Sequence, residues 1–181
     1  MRWIWILSLA ALCAGCVTAT RPAPPAPAAA APTPERWILV RKSAHTLSVY
    51  DGDQLLKIYP AVFGKDPVWA KLYEGDHRTP EGVYHISQKY YHPFWSRFML
   101  LDYPTPTNRE IYSWSRVHGL LPARGRGVAG IGGAVGIHGA EDESLNQRGI
   151  NWTEGCISLF NRDVDELYDL VPLGTRVVIE R

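Results

Sequence analysis

The chain has few cysteines, little net charge and no closely spaced metal ligands. It contains 3 cysteines in 181 residues, although its first residues are typical of export, and exported proteins usually pair their cysteines as disulfides. The formal net charge of +1 gives no electrostatic reason to expect nucleic acid as a partner. No two histidines have the short His-x-x-x-His spacing of a zinc site, so we predict neither a metal ion nor a cofactor.

The first 16 residues are a candidate export signal. Arg2 provides a positive charge, and the apolar segment from Trp3 to Leu12 is too short to cross a bilayer as a permanent helix. The following Ala14-Gly15-Cys16 resembles the cleavage box of bacterial lipoproteins. We therefore predict a lipoprotein-type signal over residues 1–16, with the lipid attached to Cys16. A soluble periplasmic form, cut near Ala19, is the alternative.

A spacer and one globular domain follow. Residues 17–35 are dominated by alanine and proline, a composition that favours extended chain and cannot bury a core. Residues 36–181 are long enough for one domain with a proper core. We expect this domain to be tethered to a bacterial membrane and to face the periplasm. Val17 is not the acidic residue associated with inner-membrane retention, which favours the outer membrane.

Strand signals dominate the domain. Apolar runs predict strands at residues 37–40, 46–50, 55–62, 82–86, 98–102, 135–137 and 176–180, with a hairpin turn at Asp51-Gly52-Asp53. One helix is predicted from Asn161, taken as its N-cap, because Val164 and Leu167 fall on one face. The pattern indicates a mainly β domain, a β-sandwich or barrel-like fold with one or two short helices.

A glycine-rich stretch precedes the last part of the domain. Seven glycines occur in residues 125–139, and Gly125, Gly127 and Gly130 match the spacing of a dinucleotide fingerprint. No convincing strand precedes them and no helix follows, so we reject nucleotide binding. We predict a loop that lines a site.

Cys156 is the one thiol that remains if Cys13 leaves with the signal and Cys16 is acylated. A solitary cysteine in an exported chain, with a histidine elsewhere, favours nucleophilic chemistry. Such a cysteine needs a base, and it needs N–H groups directed at the oxyanion formed on attack at a carbonyl. His138 is the candidate base, and Gly155 permits the unusual backbone that presents N–H groups in this way.

These residues also carry a resemblance to a known family. His138-Gly139, a variable loop, and Thr153-Glu154-Gly155-Cys156 resemble the catalytic motif of the L,D-transpeptidase (YkuD) family, a histidine followed by Ser/Thr-His-Gly-Cys. The segments at 78–84 and 101–104 are similar to two further stretches of that family. The resemblance covers roughly residues 36–181 and implies the YkuD fold.

The resemblance implies a role for each motif residue. Cys156 would be the nucleophile, His138 the base and acid, and the Gly139 carbonyl would orient the imidazole. Backbone N–H groups of Gly155 and Cys156 would stabilise the oxyanion. The implied substrate is the peptidoglycan stem peptide, whose L-centre to D-centre amide is attacked to give a thioester that an amine resolves. A wall-attached protein is an alternative acceptor or substrate.

Glu154 is the main departure from the family motif, because a second histidine is usual there. A carboxylate removes a positive neighbour from the thiol and favours a higher thiol pKa; we expect it to pair with an arginine or to bind the acceptor amine. Ser158 stands where the family often has arginine, so Arg148 or Arg124 would recognise the donor carboxylate.

Several side chains near the motif are predicted to bind substrate or to pack. The predicted substrate-binding residues are Thr153, Glu154, Trp152 and Arg148, with Trp152 lining the cleft. The aromatic run at 90–95 is assigned to core packing or a lid, with stacking on glycan sugars as the alternative. The remaining histidines are assigned structural positions: His45, His77, His85, His92 and His118.

Two other functions stay open at this point. Resolution of the thioester by water would give a cysteine amidohydrolase that releases stem-peptide residues or wall-attached proteins. Glu154 in place of histidine also leaves room for a catalytically weak peptidoglycan-binding module.

Overall fold

The computed structural model describes residues 35–181. The strands are β1 (Arg36–Arg41), β2 (Thr46–Asp51), β3 (Gln54–Pro60), β4 (Gly82–His92), β5 (Ser96–Leu101), β6 (Ala123–Arg124), β7 (Gly127–Val128), β8 (Gly136–His138), β9 (Ile157–Ser158) and β10 (Arg176–Glu180). The helices are α1 (Pro106–Val117), α2 (Ser144–Gln147) and α3 (Asn161–Leu170). The predicted signal, Cys16 and the spacer up to residue 34 lie outside the described residues.

Eight strands form one curled sheet in the order β3-β2-β1-β10-β4-β5-β8-β9. The pairs β1/β10 and β8/β9 are parallel, and the other neighbours are antiparallel. β6 and β7 form a separate hairpin. The predicted mainly β fold is confirmed, and so is the turn between β2 and β3, where Gly52 has a φ of 56° that favours glycine.

The curled sheet closes where its two end strands meet. Val62, just after β3, exchanges backbone hydrogen bonds with Ser158 of β9 at 3.0 and 2.8 Å. Phe63 and Lys65 then bond to the backbone of Thr153. We call this closure, residues 62–65 against residues 153–158, the seam. It fixes the segment that carries Cys156 to the opposite end of the sheet.

The inside of the curled sheet is filled with apolar side chains. Ile137 of β8 and Ile157 of β9 have no exposed surface, and burial of such a side chain contributes about 1.5–3 kcal/mol. Val164 and Leu167 of α3 are equally buried against the same core. Packing therefore holds β8, β9 and the start of α3 as one rigid base for the motif residues.

Helix α3 begins where the sequence predicts, but the role assigned to Asn161 is wrong. Phe160 is the N-cap residue, and its side chain makes no capping bond. Asn161 lies within the helix, where its side chain accepts from Ala140 N–H and donates to Ala140 O, both at 2.9 Å. The Asn161 side-chain amide therefore links helix α3 to the backbone of Ala140, two residues after His138.

Helix α1 was not predicted. Of its residues only Ser115 is buried, and large apolar side chains such as Trp114 and Val117 are exposed, so its pattern carries no core-facing stripe. The signal that was present is Thr105-Pro106: Thr105 caps the helix and Pro106 occupies its first turn. None of the helices in residues 35–181 is long and apolar enough to cross a membrane.

Candidate active site

A cavity of about 510 Å³ opens beside the seam, and Cys156 lies on its wall. Tyr90, Trp95 and Phe98 form an aromatic side, and the glycine-rich loop from Gly132 to Val135 faces them. The predicted loop lining a site is thus observed. Four charged side chains complete the lining: Lys71, Glu74, Arg124 and Glu154.

His138 ends β8, and Cys156 directly precedes the neighbouring parallel strand β9. In the β8/β9 ladder, His138 is opposite Ser158 and Ile137 is opposite Ile157. The backbone N–H of Gly136, the first residue of β8, is in hydrogen-bond range of the Cys156 thiol, so the thiol lies next to the strand that carries His138. His138 is only 1% exposed and lies beneath the cavity, whereas Cys156 borders it.

The thiol of Cys156 is neutral in this environment. Burial raises its pKa to about 11, although the Gly136 N–H and the charge of Lys71 act in the opposite direction. The thiol donates to Ala134 O at 3.5 Å. A neutral thiol is a weak nucleophile and needs a base that removes its proton as it attacks.

His138 is held as a neutral imidazole with a defined tautomer. Its ring stacks on Trp95, with centroids 4.4 Å apart, and on Phe98 at 5.5 Å. Burial lowers its pKa to about 4, and the charge of His92 acts in the same direction. The hydrogen bond to Gly139 O acts in the opposite direction. Nδ1–H donates to Gly139 O at 2.6 Å, which leaves the Nε2 lone pair as the basic site.

A buried hydrogen-bond chain supports the carbonyl that orients His138. The Ser158 hydroxyl donates to Gly139 O at 3.2 Å and accepts from Asn146 Nδ2 at 3.1 Å. Trp152 Nε1 donates to Asn146 Oδ1 at 2.8 Å. Ser158 is fully buried and Asn146 nearly so. We call Ser158, Asn146 and Trp152 the support chain. Sequence reasoning noted Ser158 only as a missing arginine and did not find this network.

Two glycines of the motif leave no room for a side chain. A Cβ on Gly139 would lie 2.0 Å from Asn161 Oδ1 and 2.7 Å from Trp95 O. Gly155 has a φ of 138°, and a Cβ there would lie 2.6 Å from Arg78 O. Gly155 N–H donates to Thr153 Oγ1 at 3.2 Å, so it turns back into the loop rather than toward the cavity.

Glu154 projects from the motif to the cavity rim and is 65% exposed on its side chain. It pairs with Lys65 at 2.5 Å and contacts the ring of His77. We call Glu154, Lys65 and His77 the rim cluster. The expected partner was an arginine, and the observed partners are a lysine and a histidine that was assigned a structural position. Hydrogen bonds from these two partners lower the Glu154 pKa, that of Lys65 more strongly.

The other predicted substrate-binding residues do not border the cavity. Thr153 is buried and donates to Cys156 O at 2.7 Å, which shapes the turn before the thiol. Trp152 packs edge-on against His138 at 5.9 Å instead of lining the cleft. Arg148 is exposed at the end of α2 and bonds to Ser144 O. Arg124 does reach the cavity, 3.5 Å from Glu74.

The cavity also contains side chains that were assigned elsewhere. β4 extends to His92, so the run expected to pack or to form a lid instead brings Tyr90 and His92 to the cavity wall. Lys71 was not singled out at all, because the pairing of its loop with the motif depends on the seam. Among residues 35–181, no group of three or more His, Cys, Asp or Glu is arranged to hold a metal ion.

A family model and a sequence relative match the described part of the chain. The family model of the L,D-transpeptidase catalytic domain, YkuD, matches residues 35–179. The putative L,D-transpeptidase YkuD of Bacillus licheniformis is 30% identical over 142 residues, which are 78% of this chain and 64% of that protein. This chain therefore corresponds to only part of that relative.

Solved structures agree in fold. The L,D-transpeptidase from Mycobacterium smegmatis superimposes with a TM-score of 0.50 at 22% identity, covering 82% of this chain and 59% of that one. The helical cell shape determining protein Pgp2 from Campylobacter jejuni gives 0.56 at 21% identity, covering 81% and 47%. With the motif residues gathered at one cavity and the family model spanning the described residues, the chain belongs to the YkuD family of L,D-transpeptidase catalytic domains.

Proposed function

We propose that the protein is a peptidoglycan L,D-transpeptidase with Cys156 as its nucleophile. The observation that carries the proposal is the pairing of β8 with β9, which brings the segment of Cys156, at the cavity wall, beside the strand that ends in a buried, tautomer-fixed His138. The substrate class follows from the family to which the chain belongs. A role in shaping the cell wall is the corresponding biological context, since one structural relative is a cell shape determining protein.

The reaction proceeds in two transfers. Cys156 Sγ attacks the carbonyl carbon of the amide between the L-centre and the D-residue of the donor stem, and its proton passes to His138 Nε2. The C–N bond breaks as His138 returns that proton to the leaving amine, which leaves a thioester. An acceptor amine then attacks the thioester, gives its proton to His138, and the thiol is restored.

The groups around Cys156 and His138 are consistent with these reaction steps. Because both groups are neutral at rest, the proton moves only when the thiol attacks, as in general-base catalysis. Since Gly155 N–H is engaged by Thr153, we assign oxyanion stabilisation to Cys156 N–H instead. The Gly139 carbonyl stabilises the transient imidazolium.

Muropeptide analysis tests the proposal. Purified sacculi treated with the protein should gain 3-3 cross-links, and the Cys156→Ala variant should add none. Loss of stem-peptide residues without new cross-links would contradict transfer and indicate the amidohydrolase. Pelleting with sacculi that is unchanged by Cys156→Ala, with no turnover by either protein, would indicate a binding module.

We also propose that the domain is anchored by a lipid on Cys16 and faces the periplasm, on the outer membrane. The support is the sequence of residues 1–35 alone. Metabolic labelling with a fatty acid should mark the wild-type protein but not Cys16→Ser. Equal labelling of the two, or none of either, would contradict the anchor.

A further inference from the structure

One cation inside the cavity has no part in the reaction steps above. The side chain of Lys71 is 5% exposed, yet it lines the cavity together with Cys156. Its Nζ lies 3.7 Å from the position that a Cβ on Gly155 would take, so it is next to the nucleophile's own turn. A lysine this buried requires a partner.

The partner of Lys71 is Asp76, which is itself fully saturated. Asp76 Oδ1 accepts from Lys71 Nζ at 2.8 Å and from Arg78 N at 3.1 Å. Its Oδ2 accepts from Leu72 N at 2.6 Å and from Tyr73 N at 3.1 Å. A carboxylate has about four acceptor sites, and all of them are occupied. Asp76 therefore holds Lys71 in place and has no acceptor site left for another donor.

The ammonium group keeps one hydrogen bond unused. Its three N–H bonds find two acceptors among the described residues, Asp76 Oδ1 and Tyr73 O at 3.2 Å. Both acceptors belong to the loop that carries Lys71, and the same side chain also lines the cavity, with Nζ beside the turn at Gly155. The third N–H is thus available to a ligand in front of Cys156.

The remaining charged side chains of the cavity, Glu74, Arg124 and Glu154, are exposed and engaged in ion pairs. Arg124 is 60% exposed on its side chain and sits 3.5 Å from Glu74. Glu154 is bound by Lys65 within the rim cluster. Lys71 is the one cation in the described cavity lining that is both desolvated and adjacent to the thiol. A desolvated charge acts more strongly on a ligand than an exposed one.

We propose that Lys71 is a carboxylate-binding residue that holds the free carboxylate of the D-amino acid leaving the donor stem. This role was predicted for Arg148 or Arg124. Arg148 lies away from the cavity, and Arg124 reaches it as an exposed side chain that pairs with Glu74. The identity of the carboxylate rests on the proposed function; the selectivity for an anion beside Cys156 does not. The site then accepts donors that end in a free acid and discriminates against those in which the same residue is amidated.

Alkylation of Cys156 by two small reagents tests the anion selectivity without any peptidoglycan. Iodoacetate carries the carboxylate and iodoacetamide does not, and both react with the same thiolate, so the ratio of their rates is independent of the thiol pKa. The ratio is normalised to that of free cysteine. Lys71→Gln should lower the normalised ratio by about fivefold to tenfold. Lys57→Gln, which removes a lysine paired with Glu166 on the surface, controls for net charge.

Lys71→Gln removes the positive charge that is paired with the buried Asp76 carboxylate. Thermal melting therefore checks that the variant folds. If Lys71→Gln does not fold, the double variant Lys71→Gln/Asp76→Asn removes both charges and is used in its place. A folded variant with an unchanged ratio, or an equal fall in Lys57→Gln, would overturn the proposal.

Donor peptides then connect the site to the reaction. Two tetrapeptide stems are compared as donors: one ends in a free carboxylate, and the other ends in a neutral carboxamide. Wild type should prefer the free acid, and Lys71→Gln should lose that preference mainly through a higher KM. A loss that is equal for both donors would mean that Lys71 serves another role. If neither peptide is turned over while the alkylation ratio still falls, the proposed function fails and the anion site stands.

Discussion

The two polar groups flanking Cys156 are built in opposite ways. On the inner side, the support chain is neutral and made of hydrogen bonds: Ser158 and Asn146 are buried, and Trp152 is half-buried. On the outer side, the rim cluster of Glu154, Lys65 and His77 is charged and open to solvent. Buried networks are sensitive to the loss of a single member, whereas exposed ion pairs contribute little.

This difference shows how a departure from the family motif is accommodated at position 154. Glu154 faces the rim and is fastened by side chains from the loop before β4, so a change of residue there leaves the backbone of Cys156 intact. Gly139 and Gly155 have no such freedom, because neighbouring atoms occupy the space of a side chain. The inner side therefore leaves little room for substitution, and the outer side leaves more.

The largest effect is expected for His138. His138→Gln keeps a donor for Gly139 O but has no basic nitrogen, so kcat/KM should fall by about 10²–10⁴-fold. Steady-state transpeptidation of a stem-peptide donor measures it. A fall of less than tenfold would mean that the thiol is activated by another group.

The same residue sets an acid limit. Because the folded pKa of His138 is lowered from 6.5 to about 4, the base of the free enzyme stays neutral until the pH approaches 4, and kcat/KM should fall only there. The unfolded chain takes up the proton first, so wild type should lose up to about 3 kcal/mol relative to His138→Gln as the pH falls from 6.5 to 4. Urea unfolding of both proteins across that window checks the difference.

Gly155→Ala should come next. The residue is held at a φ of 138° and has a carbonyl at 2.6 Å from its Cβ position, so the turn must shift, at a cost of about 1–3 kcal/mol. Activity should fall by more than tenfold as Cys156 moves. Gly127→Ala in β7, where no atom lies within 4 Å and which is outside the cavity lining, is the control and should retain both stability and activity.

Ser158→Ala tests the support chain. It removes the second donor to Gly139 O and leaves the Asn146 amide unsatisfied, so the unfolding free energy should fall by about 1–3 kcal/mol. Because Ser158 acts through His138, we expect a lower kcat with little change in KM. The acid side of the pH–rate profile should also shift. A loss of stability with an unaltered pH profile would make Ser158 structural only.

Glu154→Gln should have the smallest effect. Its ion pairs are exposed, so the unfolding free energy should change by less than about 1 kcal/mol. If Glu154 binds the acceptor amine, KM for the acceptor should rise while donor acylation stays the same. Lys65→Gln separates loss of the ion pair from loss of the carboxylate. A collapse of acylation in Glu154→Gln would place the rim cluster within the chemistry and remove the contrast with the support chain.

Much of the sheet could be predicted because its strands carry local signals. β10 and the hairpin of β2 and β3 lie where apolar runs and an Asp-Gly turn place them. Helix α1 was not predicted because only one of its side chains is buried. Strand β9 was not predicted because two residues are too few to show a strand periodicity. The motif predicts that Cys156 and His138 lie near each other, and the pairing of β8 with β9 brings their two segments together.

The surroundings of the motif could not be predicted, since they depend on residues far apart in the chain. Lys71 and His77 reach the site only because the sheet curls and closes at the seam. The support chain likewise joins α2 to β9 and β8. Residue spacing carries no information on such contacts.

The nucleophilic role of Cys156 is tested most directly by weighing the intact protein after incubation with a carbapenem, whose strained carbonyl traps an acylating thiol. The protein should gain the mass of one carbapenem molecule, and Cys156→Ala should gain none. No adduct on the wild type, or an adduct that persists in Cys156→Ala, would contradict the assignment.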